Sequence, residues 1–544
     1  MKEYLRARVG SSLHALGLSY DAAIEFDKPR IPEHGDLTTN IAMVLAKKLG
    51  KNPRQLAGDI LDHLDLDPDL VSKPEAAGPG FINFRFTDLF YHRQLQHLLA
   101  SAQSFGRSDV GKGKKTMVEF VSANPTGPLT VGHGRNAVFG DTIANLLEWT
   151  GHDVTREYYF NNAGRQMRLL GDSVRLRYQE MLGQQIHFPE EYYQGFYIKD
   201  IARQLFDQYG SALADEPPEG RFRQQAENAI FDDIKGTLKR LGIEFDSFYN
   251  ENSLYESGKI ARTIDDFKAK GLAYEKDGAT WLRIGEMGGD KDKVIVKSTG
   301  EPTYRLPDIA YHVEKFRRGY ELMIDIFGSD HIATYPDVLA GLTALGYDAG
   351  KVKVLIHQFV TIVQGGEVVK MSTRKANYIT LDELIADVGA DVVRYFFLMR
   401  SISSHLNFDL NLARQHSDEN PVYYLQYAHA RITSILRNAG KEGTPLVPAG
   451  LELEHLRSSE EIILIKLLLS FPEIVESCAL SFEPHHLAAY LHEVAGVFHR
   501  FYHEHKVLTE DADLRSARIA LCEAVRIVLK NGLEVFGISA PDHM

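Results

Sequence analysis

SANPTGPLTVGHGRNAVFGD, Ser122 to Asp141, is the stretch on which the fold turns. MVEFV, from Met117, precedes it as a buried-strand pattern, and DVTREYYF, Asp153 to Phe160, follows as the next strand candidate. Between them a Pro/Gly-rich turn leads into a helix expected over about Val131 to Trp149. Strand, glycine-containing loop, helix and strand open a nucleotide-binding α/β unit. His133 then falls in the first helical turn, where backbone N–H groups and the helix dipole converge on anions. Gly132 and Gly134 leave the backbone bare, either for tight packing or for close approach of a phosphate or a planar ring. Neither GxxxxGK[ST] nor a GxGxxG turn is present, which excludes those two phosphate-binding devices.

Working outward, 544 residues are enough for three or four domains. Residues 1–110 read as a separate α/β module, with Thr39 or Asn40 and then Asn52 placed to cap two helices and GPGFINFRF alternating like a strand. A short basic hinge, Gly111 to Lys115, follows; it is compatible with an RNA contact or a solvated linker. The α/β region is expected over 111–410, with a helical insertion at about 165–260 and a surface loop at DEPPEG, Asp215 to Gly220. Residues 411–544 carry an apolar period of a helix almost throughout and predict an all-helical domain.

Lys plus Arg number 61 against 74 Asp plus Glu, a formal charge of -13, which excludes a uniformly basic nucleic-acid coat but not a local basic track. Two cysteines, Cys478 and Cys522, cannot build a disulfide framework or a multi-cysteine zinc site. No long apolar leader and no uninterrupted 18-residue apolar run appears, so a soluble, cytoplasmic protein without a membrane partner is expected. The histidines between His485 and His505 show no ligand shell, and no metal site is expected there.

A second candidate site is GGEVVKMSTRKANYITLDELI, Gly365 to Ile385. A glycine pair opens a hairpin-like turn, then Lys370, Arg374 and Lys375 cluster ahead of a helix capped near Thr380. Such a cluster is either a solvated loop or a clamp over polyphosphate, whose transfer chemistry depends on positioning and charge compensation.

The two stretches together resemble the HIGH and KMSKS signatures of class I aminoacyl-tRNA synthetases, and their context resembles the arginyl-tRNA synthetases in particular. Thr130-Val131-Gly132-His133 matches the first signature and Lys370 to Arg374, KMSTR, the second. EHGDLTTNIAMVLAKKL, YYFNNAGRQ, DIAYHVEK, NPVYYLQYAHARI and the terminal ISAPDHM extend the resemblance over essentially the whole chain. It implies a Rossmann-like class I core with a helical insertion, an N-terminal α/β module that touches the tRNA elbow, and an all-helical C-terminal anticodon-binding domain. The implied activity is ATP-dependent attachment of L-arginine to tRNA(Arg) through arginyl-adenylate. ATP would come with Mg2+, without a fixed structural metal, and the enzyme would be a monomer.

Site residues follow from the resemblance. Thr130, Gly132, His133, Lys370, Met371, Ser372 and Thr373 would hold ATP, with His133, Lys370 and Arg374 contributing to catalysis. Thr130 stands where the family has a histidine and Thr373 where it has a lysine, which leaves the division of labour in the phosphate site to be found. Ser122, Asn124 and Glu251 are candidates for the substrate's amino end. Tyr304 and Asp308 are candidates for its guanidinium, on one helix face if the segment is helical. Asn161, Asn162, Asp330 and His331 would line the cleft. Tyr423, Tyr427 and Arg431 are candidates for tRNA, by stacking and phosphate pairing, although the same aromatic cluster also suits interhelical packing. The sister cysteinyl enzymes do not fit, because their Cys/His zinc ligands are missing. A non-catalytic RNA-binding homologue is favoured only by Thr130 and Thr373.

Overall fold

The computed structural model describes residues 2–20, 23–29, 31–287, 291–369, 379–441 and 451–544. By packing these fall into two compact units, each interleaved along the sequence. Among the described residues no helix is long and apolar enough to cross a membrane.

One unit comprises Gly106–Ala430, Pro472–Ala495 and Leu529–Met544. At its centre lie strands β1 (Lys115–Glu119), β2 (Asp153–Phe160), β3 (Ser247–Asn250), β4 (Leu322–Gly328) and β5 (Val352–His357), in the order β5-β4-β1-β2-β3. Every neighbouring pair is parallel. Buried residues run continuously through β1 and β4, as expected of strands covered on both faces. The chain builds β1, β2 and β3 to one side, then returns to place β4 and β5 on the other. Strand order therefore reverses between β1 and β4, and the crevice for a ligand opens at the carboxyl ends of those two strands.

Helix α1 (Val131–Trp149) connects β1 to β2 and is buried on nearly every side. Gly140 is required there, because a Cβ would run into the Phe120 ring. The insertion before β3 contains helices Gly164–Met181, Phe196–Tyr209 and Arg223–Arg240. DEPPEG lies at the surface as expected, with turn and coil over 215–217; from Pro218 the chain winds into a π-helical turn, Pro218–Phe222, closed by the fully buried Phe222. Helix α2 (Arg305–Arg317) precedes β4. Beyond β5, β6 (Val360–Gln364) turns through Gly365 and Gly366 into β7 (Glu367–Val368) and pairs in parallel with β8 (Leu406–Asp409). Both glycines have positive φ, 61° and 82°, as a tight two-residue hairpin demands. Helices α3 (Leu381–Val388) and α4 (Ala390–Leu398) follow β7. Thr380 and Glu383 form a reciprocal capping box at the start of α3.

The other unit comprises Met1–Phe105, Arg431–Phe471 and Gly496–Val528. Its antiparallel sheet of Leu37–Thr39, Phe81–Phe84 and Glu75–Ala77 lies with helices Lys2–Ala15, Ile41–Leu49, Pro53–Asp62 and Asp88–Ser101. Asn52 caps Pro53–Asp62 by accepting from the N–H groups of Arg54 and Gln55. At the start of Ile41–Leu49, the Thr39 hydroxyl accepts from Ile41 N. Within this unit residues near the N-terminus share a core with later helices. His92 Nε2 lies 2.9 Å from the Leu456 carbonyl, and Lys466 pairs with Asp36 at 2.7 Å.

Candidate functional site

At the end of β1 two residues with side chains, Val121 and Ser122, hold φ of 64° and 45°. Backbone in that region costs about 1–3 kcal/mol per residue and persists only where its surroundings fix it. Here Asn136, buried on α1, accepts from Val121 N at 2.6 Å and donates to the Ile326 carbonyl at 2.9 Å. It thereby bridges the diverging ends of β1 and β4 at the switch point. The turn presents Ser122 Oγ, which donates to Glu119 at 3.2 Å and accepts from Tyr159 N at 3.3 Å.

Three more expected residues join the same group. Asn124 Oδ1 accepts from Asn161 N at 3.0 Å, and the Asn161 amide donates to Glu251 at 2.8 Å. The Tyr159 hydroxyl donates to the other Glu251 oxygen at 2.8 Å. Ser122, Asn124, Asn161 and Glu251 thus form one polar cluster at the ends of β1, β2 and β3. Asn162 is directed elsewhere and donates to Glu227 of the insertion at 2.7 Å.

Helix α2 supplies the floor. Asp308, His312 and Lys315 recur at helical spacing, and Lys315, fully buried, donates to Glu119 at 2.5 Å and Asp325 at 2.6 Å. His312 contacts the other Asp325 oxygen and the Asp308 carbonyl, both at 2.7 Å. Beneath them Glu157 takes hydrogen bonds from Tyr311 at 2.5 Å and Arg318 at 2.7 Å. Burial would raise the Asp325 carboxyl, but Lys315 and His312 hold it well below the usual range. The Asp308 carboxyl is pushed up to about 7, chiefly by burial, with Glu119 and Glu251 adding to the rise against His312 and Lys315. Burial also raises Glu251. The pocket wall therefore has more acid than base, as a cationic ligand requires. Substituting Lys315→Met leaves Glu119 and Asp325 buried and uncompensated. Urea unfolding should show a loss of about 3–5 kcal/mol.

A small cleft is lined by Asp308, His312, Asp325 and His331. His331 stacks on Phe327, with centroids 4.8 Å apart, and Asp330 beside it stands 81% exposed at the rim. Tyr304 and Asp308 keep the expected i,i+4 relation but differ in exposure. Tyr304 flanks the start of α2 with its ring 86% exposed, while the Asp308 carboxyl sits among acids of the interior. The i,i+4 relation is present in the backbone, where Asp308 N donates to the Tyr304 carbonyl at 3.4 Å, but Tyr304 precedes the first full turn and nothing covers it.

The start of α1 forms the adjoining wall. Thr130 is its N-cap: the hydroxyl accepts from His133 N, and His133 Nδ1 accepts from Thr130 N at 3.2 Å. An Nδ1 used as acceptor leaves the ring proton on Nε2. The imidazole is held down to about 4, first by burial and then by His357, so it is a neutral donor. The departure at Thr130 thus has a local purpose, since its hydroxyl orients the histidine that remains. The two glycines separate. Gly134 is a packing residue, with space for a Cβ denied by Leu381 at 2.5 Å, whereas Gly132 has only the Thr130 hydroxyl near it. Leu381 N donates to the Leu129 carbonyl at 2.9 Å, and Thr130 bridges to Thr380. Lys370, Met371, Ser372, Thr373 and Arg374 lie outside the described residues.

The proposed tRNA-facing side chains make contacts within the protein. Tyr423 and Tyr427 are half-buried and stack at 6.2 Å with their planes 8° apart. The Arg431 guanidinium lies over the Tyr502 ring, 5.0 Å from its centre.

Reading the sequence missed Asn136, Tyr159, His312, Lys315, Glu119 and Asp325. The available signal was DIAYHVEK, where Asp308, His312 and Lys315 recur every four and three residues along one helix.

Three family models match the chain: "Arginyl tRNA synthetase N terminal domain" over residues 3–86, "tRNA synthetases class I (R), catalytic domain" over 94–394 and "DALR anticodon binding domain" over 425–544. Arginine–tRNA ligase of Desulfotalea psychrophila is 55% identical over 520 residues, 94% of each chain. That of Salinibacter ruber is 51% identical over the full length of both. The solved arginyl-tRNA synthetase of Thermus thermophilus shares the fold at a TM-score of 0.77 and 22% identity, covering 100% of both chains. The crevice at the β1–β4 switch point, its acid wall and its histidine-bearing helix start therefore belong to a member of the arginyl-tRNA synthetase family, with the class I Rossmann-like catalytic core, N-terminal module and helical anticodon-binding domain of that family.

Proposed function

We propose that the chain is an ATP-dependent arginine–tRNA ligase, joining L-arginine to tRNA(Arg) in two steps. An oxygen of the arginine carboxylate attacks the α-phosphorus of ATP, the bond to the β-phosphate oxygen breaks, and pyrophosphate leaves arginyl-adenylate behind. A terminal ribose hydroxyl of the tRNA then attacks the acyl carbon, loses its proton and displaces AMP. The carboxylate is already a nucleophile, so the protein need only bind, orient and compensate charge.

The observation that carries this reading is a buried acid pocket placed beside an anion-ready helix start in one crevice. Asp308 offers two oxygens to a planar guanidinium, with the exposed Tyr304 at the same helix start. Glu251, Ser122 and Asn124 take the amino end, while Asn161, Asp330 and His331 shape the cleft. Asn162, bonded to Glu227, orders the insertion beside it. Thr130, Gly132 and His133 meet the phosphates of ATP, together with Lys370, Met371, Ser372, Thr373 and Arg374.

Mg2+ enters with ATP as its counter-ion. Among the described residues one trio of atoms lies close enough to share an ion, from Glu460, Glu504 and His505 of the other unit. His505 is already engaged there by Glu460 and Arg518, so no resident metal is proposed. Residues 1–110 are assigned to the tRNA elbow, 111–410 to catalysis with an insertion at about 165–260, and 411–544 to the anticodon, where Tyr423, Tyr427 and Arg431 are the proposed contacts. A cytoplasmic monomer without a membrane partner completes the proposal.

ATP–pyrophosphate exchange with each amino acid, with and without tRNA, tests it. The expected result is exchange with arginine alone and only when tRNA is present. Exchange with a different amino acid, or with none, overturns the reading.

A further inference from the structure

We propose that Arg135 is a positioning residue of the ATP half of this site, fixing the end of β5 and the Ser401–Ser404 turn to the first turn of α1. The inference rests on the arginine–tRNA ligase reading.

Arg135 lies two residues beyond His133 and is fully buried. Its guanidinium donates to three backbone carbonyls from two separate segments: Gln358 at 2.9 Å, Ser404 at 2.8 Å and Ser401 at 2.9 Å. Gln358 directly follows β5 and precedes β6 by one residue; Ser404 stands just ahead of β8. The same segments are laced together by Gln358 N to the Ile402 carbonyl at 3.1 Å and Leu406 N to the Phe359 carbonyl at 3.2 Å. One planar fork therefore clamps the roots of the parallel pair β6 and β8 onto the helix that carries His133. A lysine head has no such fork, and a neutral amide has neither its reach nor its charge.

The second observation is electrical. No carboxylate among the described residues forms an ion pair with Arg135. Buried cations are ordinarily paired, because an uncompensated one is costly to desolvate. The three carbonyl dipoles engage its two terminal nitrogens without neutralising its charge, Nε stays buried without a partner among the described residues, and burial lowers the guanidinium to about 10. His357, at the end of β5, is held down chiefly by burial and further by Arg135, and His133 is in turn lowered by His357. The three groups thus share one low-dielectric neighbourhood at the start of α1. A net positive charge there, inside an otherwise acidic chain, suits a site that must receive a polyphosphate. The arginine pocket is built chiefly from other parts, namely the ends of β1, β2 and β3, helix α2 and Asp325 of β4, so the two half-sites separate in a kinetic assay.

The test compares wild type with Arg135→Lys and Arg135→Gln in steady-state charging of tRNA(Arg), varying ATP and arginine in turn. For R135Q, kcat/KM for ATP should fall about a hundredfold, and for R135K about tenfold, with the arginine KM within about threefold of wild type. In R135K, amide hydrogen exchange should accelerate in Val360–Gln364 and Leu406–Asp409 and stay unchanged in Asp153–Phe160. Equal losses for ATP and arginine, ATP kinetics within threefold of wild type in both variants, or unaltered exchange in β6 and β8 would each overturn the proposal. An R135K protein that does not fold assigns the residue to stability alone and overturns it too. Wild type that charges no tRNA refutes the functional reading instead, and the exchange measurement still decides the clamp.

Discussion

Asp308→Asn should raise the arginine KM at pH 8 by about a hundredfold or more and leave the ATP KM within a few-fold. A guanidinium facing a desolvated carboxylate gains about 2–5 kcal/mol that a neutral amide of the same shape cannot supply. Acidity gives a sharper test in the wild-type protein. Burial pushes the Asp308 carboxyl up to about 7, so it is neutral below that pH and ionised above it. The arginine side chain is cationic throughout, and its binding selects the carboxylate. The arginine KM should therefore rise about tenfold for each pH unit below 7 and level off above it. D308N should show no such slope. His133 adds none to the ATP KM over this range, because its imidazole stays neutral down to about 4.

Stability should move the other way. The folded carboxyl lies above its unfolded value of 3.8, so the unfolded chain releases its proton first as pH rises. Stability present below that value is lost progressively up to about pH 7. D308N escapes this cost, and its Tm at pH 8 should exceed that of wild type. An arginine KM unchanged in D308N, or a flat pH profile in wild type, would remove Asp308 from the guanidinium site.

What could be read from sequence was set by local rules. Val131–Trp149 and Asp153–Phe160 have the expected limits because hydrophobic period, a Pro/Gly-rich turn and a threonine cap all act within a few residues. The hairpin at Gly365–Gly366 and the capping of α3 by Thr380 follow for the same reason. Ser122, Asn124, Asn161 and Glu251 were each legible through resemblance, and the structure shows why they belong together: three parallel strands end at one edge. The floor of the pocket was not legible. Lys315 meets Glu119 across 196 residues and Tyr311 meets Glu157 across 154. No local pattern encodes those pairs, which exist only once β1, β2 and β4 lie side by side. The exposure of Tyr304 was not legible for a different reason. Four-residue spacing places two residues on one helix face, but burial of that face begins only where the sheet lies beneath it.

The acidity also divides. Glu119, Glu157 and Asp325 are buried and form the frame of the pocket rather than its solvent surface. Part of the chain's acid thus lies inside the catalytic unit, where Lys315 and Arg318 answer most of it. The pocket's neighbour, the start of α1, holds Arg135 and a neutral His133. Opposite electrical demands are met about a helix start and a sheet edge of one unit.

The histidine itself provides the last large effect. His133 has two nitrogens with two different duties: Nδ1 closes the capping box by accepting from Thr130 N, and Nε2–H remains for a phosphate oxygen. An asparagine oxygen mimics Nδ1, whereas a glutamine amide extends to the position of Nε2. His133→Asn should therefore keep the cap and its Tm yet lose about a hundred- to a thousandfold in kcat, the effect of removing one preorganised donor to developing charge. His133→Gln should retain more of kcat, because a glutamine here closes the capping box with its oxygen and still offers an N–H donor. The contrast separates a donor from a structural histidine, since a residue needed only for the helix start would leave kcat in both variants near wild type. Pre-steady-state adenylate formation, measured with tRNA present, should carry the loss in H133N, because pyrophosphate departure is where phosphate charge develops. Wild-type kcat in H133N, or a slower H133Q than H133N, would show that Nε2 does not act on the phosphates and that Thr130 orients His133 for packing alone.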